Sequence, residues 1–129
     1  MNEPILIVDD NAANIRLMSY ILSSKGFDVR CASDAREALA ALESFLPRLI
    51  LMDLQMPGMD GLELTRLLKS APRTRDILVV AVTAYAMKGD EERARAAGCD
   101  GYITKPIDTR GLPGTVSAYL ERGSSSEKS

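Results

Sequence analysis

Short apolar runs recur along the chain at near-regular intervals: "ILIV" (5–8), "FDVRCA" (27–32), "LILM" (49–52), "ILVVAV" (77–82) and "GYIT" (101–104). Most are continuous rather than alternating, the pattern of strands buried on both faces, as in a parallel sheet. A helix-like stretch follows each. Short βα alternation favours parallel strands joined by right-handed crossovers, so the predicted class is α/β, one open doubly wound sheet of five βα repeats. A chain of 129 residues suits one such domain.

The intervening stretches carry helix start and stop signals. Ile15, Met18 and Leu22 recur at helical spacing and Gly26 follows as a stop. Ser33 or Asp34 can cap "AREALAALESF", with Pro47 beyond it. Asp60 can cap "GLELTRLLKS", with Glu63 placed as in a capping box. "KGDEERARAAG" is charged and Ala-rich, and Gly98 ends it. With Gly89 and few large apolar residues, this fourth helix is expected to be the softest regular element. The last helix is disturbed by Gly111, Pro113 and Gly114; it is expected to start late, near Leu112 or Pro113, or to kink there. The tail "GSSSEKS" (123–129) has no apolar anchor and is expected to be disordered.

Open parallel sheets bind ligands at the carboxyl ends of their strands. The first strand runs into Asp9 and Asp10, the third into Asp53, the fourth into Thr83 and the fifth into Lys105, then Pro106. The second strand brings nothing comparable, which places it at the outer side of the sheet. Taken singly, each residue has an ordinary reading. An aspartate after a strand often caps the next helix, although Asn11 serves that purpose equally well. A lone Thr or a Lys-Pro pair marks a turn. Together, at successive strand ends, they place three carboxylates, one hydroxyl and one ammonium on one edge. Clustered carboxylates repel one another and take up protons unless a cation sits among them. Lys105 supplies one positive charge, and the remaining deficit suits a divalent ion. The donor set is oxygen only, which favours Mg²⁺ or Mn²⁺. A carboxylate in such a setting is a phosphoryl acceptor: Asp53 as nucleophile, with the metal and Lys105 neutralising charge on the phosphoryl oxygens and Thr83 donating to one of them.

Composition removes the alternatives. No His is present, so His-ligated metals, Ser-His-Asp chemistry and a phosphohistidine on this chain are excluded. The net charge is −2 and no basic block appears, which argues against nucleic-acid binding. No apolar run is long enough to span a membrane, and the N-terminus lacks the features of a secretory signal. Cys31 and Cys99 have no CxxC spacing and read as two small buried residues in a reducing cytosol.

With "ILIVDDN", "LILMDLQMPGMDG", "VVAVTAYA" and "GYITKPI" in this order, the sequence resembles the receiver domain of bacterial two-component response regulators over about residues 4–121. The resemblance implies a flavodoxin-like (βα)5 fold with strand order 2-1-3-4-5, a receiver domain over 1–122, and a set of roles. Asp53 is the phosphoacceptor. Asp10 and Asp53 ligate the metal directly, Asp9 acts through metal-bound water, and Gln55 gives its backbone carbonyl. Thr83 is the switch hydroxyl and Tyr102 the switch aromatic. Lys105 pairs with the phosphoryl oxygens, and the Lys105–Pro106 bond is cis. Gln55 and Tyr85 tune the phosphate lifetime, a bulky Tyr85 obstructing attacking water so that hydrolysis is slow. On the implied strand order Cys31 and Cys99 lie at opposite sides of the sheet, too far apart for a disulfide.

The implied function is that of a cytoplasmic phosphoacceptor. A histidine kinase or histidine phosphotransfer protein donates to Asp53 in a two-component or phosphorelay pathway, and the switched surface meets a downstream protein target. The chain would catalyse only its own phosphorylation and dephosphorylation, and would be a monomer or weak dimer; the disturbed start of the fifth helix puts pairing through helix 4, strand 5 and helix 5 in doubt. Two outputs remain open: a stand-alone regulator, and a receiver excised from a longer protein with an enzymatic or DNA-binding effector. A Mg²⁺-dependent phosphatase would want an acid where Gln55 stands, and a flavin site would want a phosphate-cradling loop where Asp9 and Asp10 stand.

Overall fold

The computed structural model describes residues 3–54, 61–83, 89–105 and 107–128. The strands are β1 (Pro4–Val8), β2 (Asp28–Ala32), β3 (Leu49–Asp53), β4 (Leu78–Thr83) and β5 (Gly101–Thr104). They alternate with the helices α1 (Ala12–Ser24), α2 (Ala35–Leu42), α3 (Gly61–Ser70), α4 (Asp90–Ala97) and α5 (Leu112–Lys128). The strands form one parallel sheet in the order β2-β1-β3-β4-β5, so the predicted class and topology hold and β2 lies at an edge. Its exposed Asp28, Arg30 and Cys31 reflect that position, whereas β3 is buried along its whole length because helices cover both faces.

Strand alternation sorts the core into two layers. Leu6, Val8, Ile50, Met52, Val79 and Ala81 pack with Ala38 and Leu42 of α2, Leu64 and Leu68 of α3 and Ala94 of α4. Their neighbours Ile5, Ile7, Leu49, Leu51, Val80 and Val82 pack with Met18 and Leu22 of α1 and Leu112, Val116 and Leu120 of α5. Fully burying one such side chain stabilises by about 1.5–3 kcal/mol, so these layers hold the strand ends in register.

The helix signals act locally as read. The Asn11 side chain accepts the Asn14 N–H at 3.0 Å and caps α1. At its far end Gly26 takes a φ of +92°, and the Phe27 N–H returns to the Leu22 carbonyl. Asp34 caps α2 through the Glu37 N–H at 2.8 Å, while Glu37 accepts from the Ser33 N–H and hydroxyl. The proposed cap of α3, Asp60, lies outside the described residues. Helix α5 starts at Leu112 as expected. It then continues to Lys128, over most of the stretch predicted to be a disordered tail. Extending an anchored helix adds one hydrogen bond per residue fixed and needs no new nucleus, and "GSSSEK" contains no proline to stop it.

Helix α4 is anchored more weakly than the equally short α2. Its N-cap, Gly89, has no side chain to cap it, and its buried side chains among those described are the small Ala94 and Ala97, whereas α2 has the Asp34 cap and buries Leu42. The amides of α4 are therefore expected to exchange with deuterium before those of α2, measured peptide by peptide by mass spectrometry.

Both cysteines are free; Cys99 is buried as expected, but Cys31 is exposed because it lies on the edge strand β2. Desolvation pushes both thiols up, through burial at Cys99 and through partial shielding by neighbouring groups at the exposed Cys31, offset in part by bonds to Thr65 and Ser19 respectively. A raised thiol is more fully protonated at neutral pH and less nucleophilic. Maleimide labelling at pH 7 is expected to modify Cys31 slowly and Cys99 only on unfolding, with the Cys31 rate rising as the pH is raised. Equal rates for the two in the native protein would contradict the burial difference.

Candidate functional site

Strand register assembles the site. Val8 of β1 pairs with Met52 of β3, so the next residues, Asp9 and Asp53, stand side by side. Asp53 pairs with Val82, which sets Thr83 one residue further along. Thr83 pairs with Thr104, and the Lys105 N–H donates to the Thr83 carbonyl at 2.7 Å. Thus Asp9, Asp10, Asp53, Thr83 and Lys105 meet at the carboxyl edge of the sheet, although they come from four strands.

Asp9, Asp53 and Thr83 are 1%, 2% and 1% exposed, while Asp10 is exposed. Each of the three aspartates offers an oxygen within 4.8 Å of the others. The Lys105 ammonium lies 3.5 Å from Asp9 Oδ2 and 3.7 Å from Asp53 Oδ1. One ammonium cannot neutralise three carboxylates packed this closely. The Asn11 N–H donates to Asp9 Oδ1 at 2.9 Å, but Asp9 Oδ2 is buried and accepts no hydrogen bond among the described residues, its contact with Lys105 at 3.5 Å being an ion pair alone. A buried carboxylate oxygen left in this state is costly. Orphaned oxygen, residual negative charge and an all-oxygen donor set together fit a hard divalent cation.

Of the other residues singled out by sequence, Tyr102 is half-buried against the core layer under α2, α3 and α4. Its backbone N–H donates to the Tyr119 hydroxyl at 3.4 Å. Gln55, Tyr85 and Pro106 lie outside the described residues. Sequence reasoning missed the support behind the site. Asn11 serves twice, capping α1 with its side chain and holding Asp9 with its N–H. Gly61 approaches the Asp53 carbonyl so closely that a Cβ there would lie 2.6 Å from it. The Gly at the start of an apolar helical stripe was the available signal for that approach.

The family model for the response regulator receiver domain matches residues 5–117. The chain is similar to the polar-differentiation response regulator DivK of Brucella ovis, 42% identical over 120 residues that make up 93% of this chain and 98% of that protein. It also resembles a solved CheY-like response regulator receiver domain protein from Methanospirillum hungatei, with a TM-score of 0.88 and 31% identity over 98% of this chain and 99% of that one. The chemotaxis response regulator CheY4 of Vibrio cholerae matches with a TM-score of 0.86 and 25% identity, over 92% of this chain and 99% of that one.

Proposed function

The chain belongs to the response regulator receiver domain family, and on that premise we propose that it takes a phosphoryl group on Asp53 from a phosphohistidine of a histidine kinase or phosphotransfer protein. The observation that carries this reading is the convergence of three carboxylates within 4.8 Å beside the Lys105 ammonium.

A carboxylate oxygen of Asp53 attacks phosphorus. The new O–P bond forms as the donor's P–N bond breaks, and the departing imidazole keeps the electron pair and takes up a proton. Lys105, already beside Asp53, balances the charge on the phosphoryl oxygens, and the Thr83 hydroxyl donates to one of them. Asp10 and Asp53, the Gln55 carbonyl and, through water, Asp9 would hold Mg²⁺ or Mn²⁺, which when bound neutralises charge shared between the carboxylate and the phosphoryl group. Attack by water on phosphorus later releases inorganic phosphate and restores Asp53. Gln55 and Tyr85 tune that step, and Tyr85 slows it; a phosphate lost within seconds would contradict this. Catalysis is confined to the chain's own phosphorylation and dephosphorylation.

Phosphorylation adds roughly two negative charges at the edge of the sheet. Thr83 then shifts toward the phosphoryl group and Tyr102 turns inward, which biases the surface of α4 and β5 between two populated arrangements. The output is contact with a downstream protein in the cytoplasm, by a monomer or weak dimer; near-complete coverage of DivK supports a stand-alone regulator over a receiver with a fused effector. No helix among the described residues is long and apolar enough to cross a membrane. The test is incubation with acetyl phosphate with and without Mg²⁺, read by intact mass. A Mg²⁺-dependent gain of one phosphoryl group supports the reading. No gain in folded protein would overturn it and leave an unphosphorylated interaction module.

A further inference from the structure

The opposite edge of the sheet, where the strands begin, carries an open groove of about 690 Å³. Five basic and two acidic side chains line it, in a chain whose net charge is −2. We propose that this groove binds a nucleotide, its phosphates held by Arg73 and Arg75 and its base laid over the apolar floor of Leu46 and Pro47 beside Tyr119.

The two acidic groups do not cancel this charge. Asp100 is already engaged: its Oδ2 accepts from Lys69 Nζ at 2.8 Å and from the Val79 N–H at 2.9 Å. Lys69 is spent in the same clasp, donating also to the Ile77 and Arg75 carbonyls at 2.7 and 3.2 Å. Arg48 pairs with Glu3 at 2.6 Å. Arg73, which donates to the Glu43 carbonyl at 3.3 Å, shares the groove with Arg75, Arg122 and one exposed carboxylate, Asp76.

The turn that presents the two central arginines is held from within. Thr74, which lies between them, is 6% exposed, and its hydroxyl donates to the Leu68 carbonyl at 2.7 Å. Lys69 grips the carbonyls of Arg75 and Ile77 from the other side. Arg73 and Arg75 are thus exposed on a backbone that is already ordered, which lowers the entropic cost of closing on a ligand. Guanidinium forks match phosphate oxygens two at a time. Arg122 stacks over the Tyr119 ring at 5.0 Å, an arrangement suited to a flat aromatic partner. The volume falls within the range of about 300–1,000 Å³ usual for small-molecule sites. A phosphate with no apolar body would leave the floor unused.

The groove also reaches the switch strand. Tyr119, whose hydroxyl accepts the Tyr102 N–H, is one of the groove's lining residues, so an occupant that moves Tyr119 acts on β5.

The test is a titration of ¹⁵N-labelled protein with ATP, pyrophosphate and a short RNA in separate arms, at constant ionic strength and without divalent cations. ATP is expected to give saturable shifts at residues 46–48, 73–78 and 119–122, with the Tyr102 amide following. Pyrophosphate, and the R73S/R75S variant with ATP, should bind weaker on the order of tenfold or more. Both replaced residues are exposed, and the variant's own spectrum verifies its fold. Shifts that never saturate, pyrophosphate binding as tightly as ATP, RNA binding more tightly than ATP, or unchanged ATP binding by R73S/R75S would each overturn the proposal.

Discussion

Asp53→Asn is expected to abolish phosphorylation while making the metal-free protein more stable. The two effects share one cause. Asp53 is 2% exposed and shares its pocket with Asp9 and Asp10, so in the absence of a divalent cation its charge stands against two like charges, with the Lys105 ammonium 3.7 Å away. The amide keeps the size and some of the hydrogen bonding and removes the repulsion. Lys105 does not become an orphan, because Asp9 Oδ2 remains 3.5 Å away. A gain of about 1 kcal/mol is expected, a rise of a few degrees in Tm for a domain of this size. In the wild type Mg²⁺ should raise Tm by mass action, since a ligand that binds only the folded state stabilises it. In Asp53→Asn that increment should shrink or vanish. Intact mass after acetyl phosphate treatment with Mg²⁺ should show one added phosphoryl group in the wild type and none in the variant. A variant destabilised without metal would mean that the Lys105–Asp53 contact outweighs carboxylate repulsion. A variant still phosphorylated would mean that another side chain is the acceptor.

The aspartates at the strand ends were legible because one rule, that parallel strands aim their carboxyl ends at a common edge, converts five distant positions into neighbours. The strands themselves were legible because β3 and most of β1 and β4 are buried on both faces and therefore read as unbroken apolar runs. Which aspartate is buried was not legible. Asp9 and Asp10 are adjacent and alike; the Asn11 N–H turned back onto Asp9 and the Lys105 ammonium beside it mark the enclosed one, and neither contact can be read from the sequence. The basic groove was invisible for the converse reason. The sequence has no basic block, since Arg48, Arg73, Arg75 and Arg122 are dispersed along it, and only the topology gathers them where strands begin. The one local sign was "PRTRD" (72–76), two arginines on a turn. The continuation of α5 to Lys128 was hidden because composition reports whether a segment can anchor itself, not whether a preceding helix carries it onward.

Gly61→Ala should damage the site without touching any group that does chemistry. A Cβ at Gly61 would stand 2.6 Å from the Asp53 carbonyl oxygen and 3.0 Å from Leu54 Cα. Both are backbone atoms, so no side chain can swing aside to make room. Gly61 has little freedom of its own, because its carbonyl accepts the hydroxyl of Thr65, a fully buried residue, at 2.7 Å. The added methyl must therefore push α3 away from β3 or displace the backbone that carries the phosphoacceptor. Overpacking of this kind costs about 1–3 kcal/mol, a fall in Tm of roughly 5–10 °C. Moving Asp53 relative to Lys105 and Asp10 should also slow phosphorylation from acetyl phosphate, since misplacement of about 1 Å can cost two orders of magnitude in rate. Gly114→Ala is the matched control. It adds the same methyl to a helix where nothing lies within 4 Å of the new atom, and it should stabilise by up to about 1 kcal/mol through helix propensity alone. Thermal melts and single-turnover phosphorylation of the two variants then separate contact from composition. If Gly61→Ala melts and phosphorylates like the wild type, α3 has room to retreat from β3, and the close approach of Gly61 is not what positions Asp53.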